Sequence, residues 1–190
     1  TLEAKTMGKK DEDYHREVSE ELAAQLVRMI REIQRKEEKA RSAGKVESME
    51  WWRKQEEQKE QEQSLKGIHL LVVGLGNAQV TPDALGPYVT DNLCATRHIV
   101  KEYGKYAMGM QHVNLVSTLA PGVMGQTGME TVEVVRGVVK ETKPDLVIAV
   151  DALAARNSRR LNRTIQIADT GIHPGSGVGN HRNGITRESI

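Results

Sequence analysis

The sequence predicts an α/β fold: an open, mostly parallel sheet with helices on both faces, preceded by an amphipathic helix and a charged arm. Three observations carry this reading. Two short runs of aliphatic residues, Ile68–Val73 and Leu146–Val150, are continuous rather than alternating, as strands covered on both faces are. Helix-period segments lie between them, at Ala84–Val100 and Met129–Lys140, and strands that alternate with helices build a parallel sheet with right-handed crossovers. Composition also changes abruptly near Gly67. Residues 1–66 hold 15 Lys or Arg and 16 Asp or Glu, whereas the remainder holds 12 and 10.

That change divides the chain into segments 1–66 and 67–190. In the first, Val18, Leu22, Leu26, Met29, Ile30 and Ile33 recur at helical spacing, and the acidic Asp11–Asp13 favours the positive end of a helix, here expected over about 12–36. From Arg35 to Lys66 the apolar stripe gives way to Glu, Lys and Gln, broken by Gly44 and relieved by Val46, Met49, Trp51 and Trp52. Such a stretch buries too little area to offset its ordering entropy, so it reads as a solvated helical arm or a mobile insertion, an exposed linker first and a partner-binding arm anchored by the Trp pair second. In the second segment Ile68–Val73 and Leu146–Val150 are expected to be central strands, with Val113–Ser117 and Thr164–Ile167 as further strands. The whole is one domain's length with an appendage. Since it opens at Thr1 and stops on an apolar residue, Ile190, it reads as a truncated domain.

Composition excludes several function classes. A net charge of +1 provides no sequence-wide field for nucleic acid or an anionic membrane. Cys94 is the only cysteine, which excludes an intramolecular disulfide framework and a thiolate zinc cluster and suits a reducing compartment. No apolar run approaches the roughly 20 residues that span a bilayer. A cytoplasmic protein without membrane or direct nucleic-acid contact is the expectation. With no Phe and 3% aromatics, the core must be built from Val, Ile, Leu and Ala.

Ligands of an open parallel sheet bind where loops leave the carboxyl ends of strands. Four loops pass that filter: Gly74–Asp83, Leu119–Gly128, Asp151–Arg156 and Ala168–Asn180. The first contains Gly74-Leu75-Gly76-Asn77-Ala78-Gln79, which lacks the third glycine of a dinucleotide fingerprint because Gln79 stands there. No cofactor is expected. The loop ends in Thr81-Pro82-Asp83, a helix start with Thr81 as cap, Pro82 at the first position and Asp83 in the first turn. Asp151 follows an apolar strand directly, where burial raises a carboxyl pKa unless a donor compensates. If Asp83 and Asp151 face each other across adjacent strand ends, repulsion separates their titrations. A pair that shares a proton in this way can activate water against a peptide carbonyl.

Other groups compete for a role. Asp169-Thr170-Gly171 is the tripeptide that pepsin-like and retroviral proteases place at their catalytic turn, but those enzymes are β-sheet proteins, so Asp169 ranks behind the pair. Gly171, Gly175, Gly177 and Gly179 allow backbone N–H groups to turn toward a common point, an oxyanion or peptide cradle. His173 is a candidate metal ligand alongside the two aspartates, or a hydrogen-bond partner. Ser176 lacks a nucleophile elbow, since Pro174 occupies the first glycine position. Arg156, Arg159, Arg160 and Arg163 can hold an acidic side chain or simply face solvent.

Four stretches, "LVVGLGNAQVTPDALGP" from Leu71, "PGVMGQTGMET" from Pro121, "DALAAR" from Asp151 and "TIQIADTGIHPGSGVGN" from Thr164, resemble the germination protease family of spore-forming bacteria. The resemblance covers about residues 68–190 and implies an atypical aspartic-type endopeptidase related in fold to hydrogenase-maturation proteases. It implies Asp83 and Asp151 as the catalytic pair, and small acid-soluble spore proteins as the substrate. It further implies a zymogen matured by amino-terminal trimming and a homotetramer located in the forespore or spore core. Asn77 of the glycine-asparagine loop, Arg156, His173, Gly175 and Gly177 are the candidates for substrate binding. Two alternatives stand beside this reading: a metal-dependent hydrolase using Asp83, Asp151 and His173, and an inactive, truncated binding module.

Overall fold

A computed structural model describes residues 2–3, 12–42, 67–104, 109, 113–155, 157–175, 179 and 182–190. The chain falls into two compact units, Thr1–Glu57 with Ala155–Asp169, and Gln58–Ala154 with Thr170–Ile190.

In the first unit, strand β1 (Leu2–Glu3) pairs antiparallel with the strand at Thr164–Ile165, Leu2 opposite Ile165. The sequence placed residues 164–167 among the strands of the main sheet. They form instead a two-residue ladder with the amino terminus, because Gln166 and beyond leave the extended pairing. Helix α1 spans Glu12–Ser42, six residues past the expected end, since nothing in the Arg35–Ser42 stretch breaks a helix. The predicted stripe is present: Val18, Leu22, Leu26, Met29, Ile30 and Ile33 are half-buried while their neighbours are mostly exposed. Gln25 Nε2 donates to Glu21 Oε1 at 2.7 Å, one turn away, the spacing at which helix side chains meet. Lys36 Nζ lies 3.7 Å from Asp169 Oδ2, an exposed ion pair of the kind that contributes about 0–1 kcal/mol. The rest of the charged arm, residues 43–66, lies outside the described residues.

The second unit is built on three parallel strands. Central β2 (His69–Gly74) pairs on one side with β3 (Leu115–Leu119) and on the other with β4 (Leu146–Val150). Val72 sits opposite Thr118 and Ile148, and Gly74 opposite Val150. The first strand thus lies in the middle, and the chain crosses from β3 over it to reach β4. Such an order creates a topological switch point between β2 and β4, where strand-end loops diverge and leave a crevice.

Helices cover both faces, and the strand's two-residue period assigns them. Leu71, Val73 and Leu75 are at most 1% exposed and pack with Val132 and Val135 of the helix at Thr131–Thr142 (α5), and with Ile185. On the opposite face, a Cβ at Gly74 would lie 2.1 Å from the carbonyl oxygen of Gly86 and 2.9 Å from Thr90 Cγ2, both in helix α2 (Leu85–Asp91). Thr90 is buried and its hydroxyl donates to the Pro87 carbonyl at 2.8 Å, so its polar atom is satisfied.

Two expectations change. The single helix over Ala84–Val100 is two, α2 and α3 (Arg97–Tyr103), because Thr96 between them docks on β3. Thr96 N donates to the Val116 carbonyl at 3.0 Å, and its hydroxyl accepts from Val116 N at 2.9 Å and donates to Asn114 O. β4 is not central: among the described residues it pairs with β2 alone, and all five of its residues are only half-buried. No helix among the described residues is long and apolar enough to cross a membrane.

Candidate active site

The loop after β2 is compact. Val80 N donates to the Asn77 carbonyl at 3.0 Å, and Asp83 N donates to the Val80 carbonyl at 2.8 Å, so the chain coils twice between the strand and α2. Gly76 makes this possible at φ +111, a region that favours glycine; a Cβ there would lie 2.0 Å from the Asp83 carbonyl oxygen.

Thr81–Asp83 forms a 3-10 turn, and α2 begins at Leu85. The expected Thr81 cap is absent: the turn has no side-chain cap, and Thr81 and Pro82 are exposed. Asp83 does stand in the first turn, with Pro82 ahead of it, as expected. Its Oδ2 accepts the backbone N–H of Asn77 at 2.8 Å, folding the carboxylate back over the loop that precedes it.

Asp151 is the first residue after β4, half-buried, with Oδ1 accepting the N–H of Ala152 at 2.8 Å. Burial pushes its carboxyl above the usual aspartate range; the Ala152 N–H opposes that, and the negative charge of Asp83 adds to the rise. The two carboxylates therefore share one electrostatic environment, at the switch point between β2 and β4.

Asn77, bonded to Asp83, makes further contacts through its side chain. Its Oδ1 accepts from Gln79 N at 2.9 Å and from Gln126 Nε2 at 3.0 Å. Gln126 belongs to the short helix α4 (Met124–Thr127) in the loop that follows β3, so the loops after β2 and β3 meet at this point. The sequence reasoning did not single out Gln126. Its one available signal was membership of a loop at a strand's carboxyl end.

His173 is placed elsewhere. Its ring lies against Gly184, where a Cβ would come within 2.5 Å of Cε1 and Nδ1. It lines an open depression of about 370 Å³ with Arg136, Asn183, Thr186 and Glu188 among others, a set that contains neither aspartate. Among the described residues, no three His, Cys, Asp or Glu side chains converge to hold a metal ion, which leaves the three-ligand reading without its geometry. Gly175 has φ +74; Gly171, at φ +89, allows the Ile185 carbonyl to approach where Ile172 and Ile185 form an antiparallel bridge. Arg159, Arg160 and Arg163 are exposed beside the Ser158–Arg160 turn, whose Asn157 cap accepts from Arg159 N at 2.9 Å. Arg156 and Gly177 lie outside the described residues.

A sequence model of the family described as germination protease matches residues 45–190. Among curated proteins named germination protease, the one from Caldanaerobacter subterraneus is 58% identical over 125 residues, which is 66% of this chain and 38% of the relative. Those from Bacillus velezensis and Bacillus subtilis are 57% and 53% identical over 125 residues, again 66% of this chain and 33% of each relative. The chain thus spans about a third of the length of these relatives. With a family match over more than three quarters of its residues, the chain belongs to the germination protease family.

Proposed function

We propose that the Asp83–Asp151 pair hydrolyses peptide bonds with water as the nucleophile. The observation that carries this is the carboxyl of Asp151, held above the ordinary aspartate range by burial and by the charge of Asp83. Two neighbouring carboxyl groups that bind their protons unequally can supply an acid and a base at one place.

In this reading Asp151 holds the proton and Asp83 is the base. Asp83 removes a proton from water as the water oxygen bonds to the carbonyl carbon, while Asp151 gives its proton to the carbonyl oxygen. The resulting gem-diol collapses as Asp83 returns its proton to the amide nitrogen, the C–N bond breaks, and Asp151 recovers a proton from a hydroxyl. Protons balance and no other group is consumed. Asn77, by donating to Oδ2, leaves Oδ1 of Asp83 to face the water.

Family membership and the names of the relatives support proteolysis during germination; small acid-soluble spore proteins are proposed as the substrate on the sequence resemblance. The tetrameric state, zymogen maturation and spore-core location are proposed with it on the same resemblance.

Asp83→Asn and Asp151→Asn, each assayed on a small acid-soluble spore protein, should lower kcat at least about 100-fold, the scale of a lost acid or base. Near-normal turnover by either folded variant rejects the pair.

A further inference from the structure

The atoms around Asn77 form a chain in which each donor and acceptor is forced. Gln79 N–H can only donate, so the Asn77 atom 2.9 Å from it is the carbonyl oxygen Oδ1. The Gln126 atom 3.0 Å from that oxygen must then be the amide nitrogen. Its other amide atom, Oε1, faces the N–H of Val123 at 3.5 Å, again donor to acceptor. Gly122 keeps a left-handed φ of +72, and a Cβ there would come within 3.3 Å of Gln126 Oε1, so the loop packs closely on this side chain. At the far end, Asn77 N–H donates to Asp83 Oδ2.

We infer that Gln126 is a positioning residue of the aspartate pair: its amide clasps Asn77 and so holds the Asn77 N–H on Asp83. The inference rests on the proposed role of the pair. Three features of the clasp support it. It joins the loops after β2 and β3, residues 49 apart in the chain, at the base of the loop that carries Asp83. No flip of either amide preserves it, because a flipped Asn77 sets an NH2 against Gln79 N–H and a flipped Gln126 sets an NH2 against Val123 N–H. It also leaves Asp151 untouched, whose own partner is Ala152.

Gln126→Glu gives a test that a merely structural role does not pass. The carboxylate has the shape of the amide but sets an oxygen against Asn77 Oδ1; once protonated, its O–H restores a donor. An ordinary Glu titrates near about 4.3. In the native protein at its full length, kcat at pH 7 should fall about 3- to 10-fold in both Gln126→Ala and Gln126→Glu, with KM within twofold of the parent. The ratio of Gln126→Glu to parent kcat should rise as pH falls from 7 toward 4.5, whereas the Gln126→Ala ratio stays flat. Hydrogen exchange of the Asn77 amide should be faster in both variants at pH 7, a readout that needs no turnover. Parent-like kcat and Asn77 exchange in both variants overturn the inference, as does a flat ratio for Gln126→Glu. If the parent is inactive, or Asp151→Asn retains activity, the reading of the pair fails instead, and the exchange result alone decides the clasp.

Discussion

Leu75 donates its backbone N–H to the carbonyl oxygen of Val150 at 2.8 Å, extending the pairing of β2 and β4 one residue beyond the strand ends. The two catalytic candidates therefore hang from loops that leave the sheet at one hydrogen-bonded junction. Asp151 begins one loop immediately after that contact, and the Gly76–Asp83 loop begins the other.

Gly86 guards this junction. A Cβ there would lie 2.3 Å from Leu75 O, 2.4 Å from Leu75 N and 2.6 Å from Val150 O, all backbone atoms that cannot step aside. Gly86→Ala should destabilise the unit by about 3 kcal/mol, the upper end of overpacking costs. The control is Gly137→Ala in α5, where nothing lies within 4 Å and the helix should gain roughly 0.5–1 kcal/mol. Urea unfolding of the two variants should move the midpoint in opposite directions; equal shifts contradict the packing described.

The raised carboxyl of Asp151 makes a prediction about stability. A folded-state value above the unfolded one, near about 3.9, means that the native state binds this proton more tightly. Its contribution is fully present below the unfolded value and is lost as pH rises through the folded one. Asp151→Asn keeps an oxygen for the Ala152 N–H and removes the charge. At pH 7 it should raise Tm, by roughly 2–4 °C for each kcal/mol relieved, and the gain should vanish near pH 3.5. A variant no more stable than the parent at pH 7 contradicts the raised carboxyl of Asp151.

His69 behaves in the opposite sense. Burial lowers its pKa, the charge of Arg97 lowers it further, and the hydrogen bond that the ring donates to the Lys143 backbone carbonyl and the charge of Asp145 oppose them. The unfolded chain thus takes up the proton first, and stability falls as pH drops below about 6.5 until the folded-state value is passed. His69→Gln should lose less stability than the parent between pH 7.5 and pH 5.5, measured by urea midpoints. An identical loss in both shows that His69 is not the group responsible.

The parts legible in the sequence were those written in contiguous residues. The aliphatic run of β2, the stripe on α1 and the position of Asp151 directly after Leu146–Val150 needed only local pattern. What was not legible depended on partners far along the chain. Thr96 breaks a helix-period segment because Asn114 and Val116 bond to it, and no propensity at Thr96 announces that. Thr81-Pro82-Asp83 has the composition of a helix start, yet the Asp83 carboxylate is claimed by Asn77 behind it. β4 reads as central because its residues are uniformly aliphatic, while its burial depends on what lies beside it. Gln126 carried no signal beyond its place in a strand-end loop, since its partner is 49 residues away.

The account depends most on the two carboxylates sensing each other, and carboxyl-carbon NMR titration of Asp151 tests that without a substrate. In the parent, Asp151 should titrate above an ordinary aspartate; in Asp83→Asn its midpoint should move down, yet stay raised, because burial is the larger cause. A midpoint that does not move when Asp83 loses its charge contradicts the pairing.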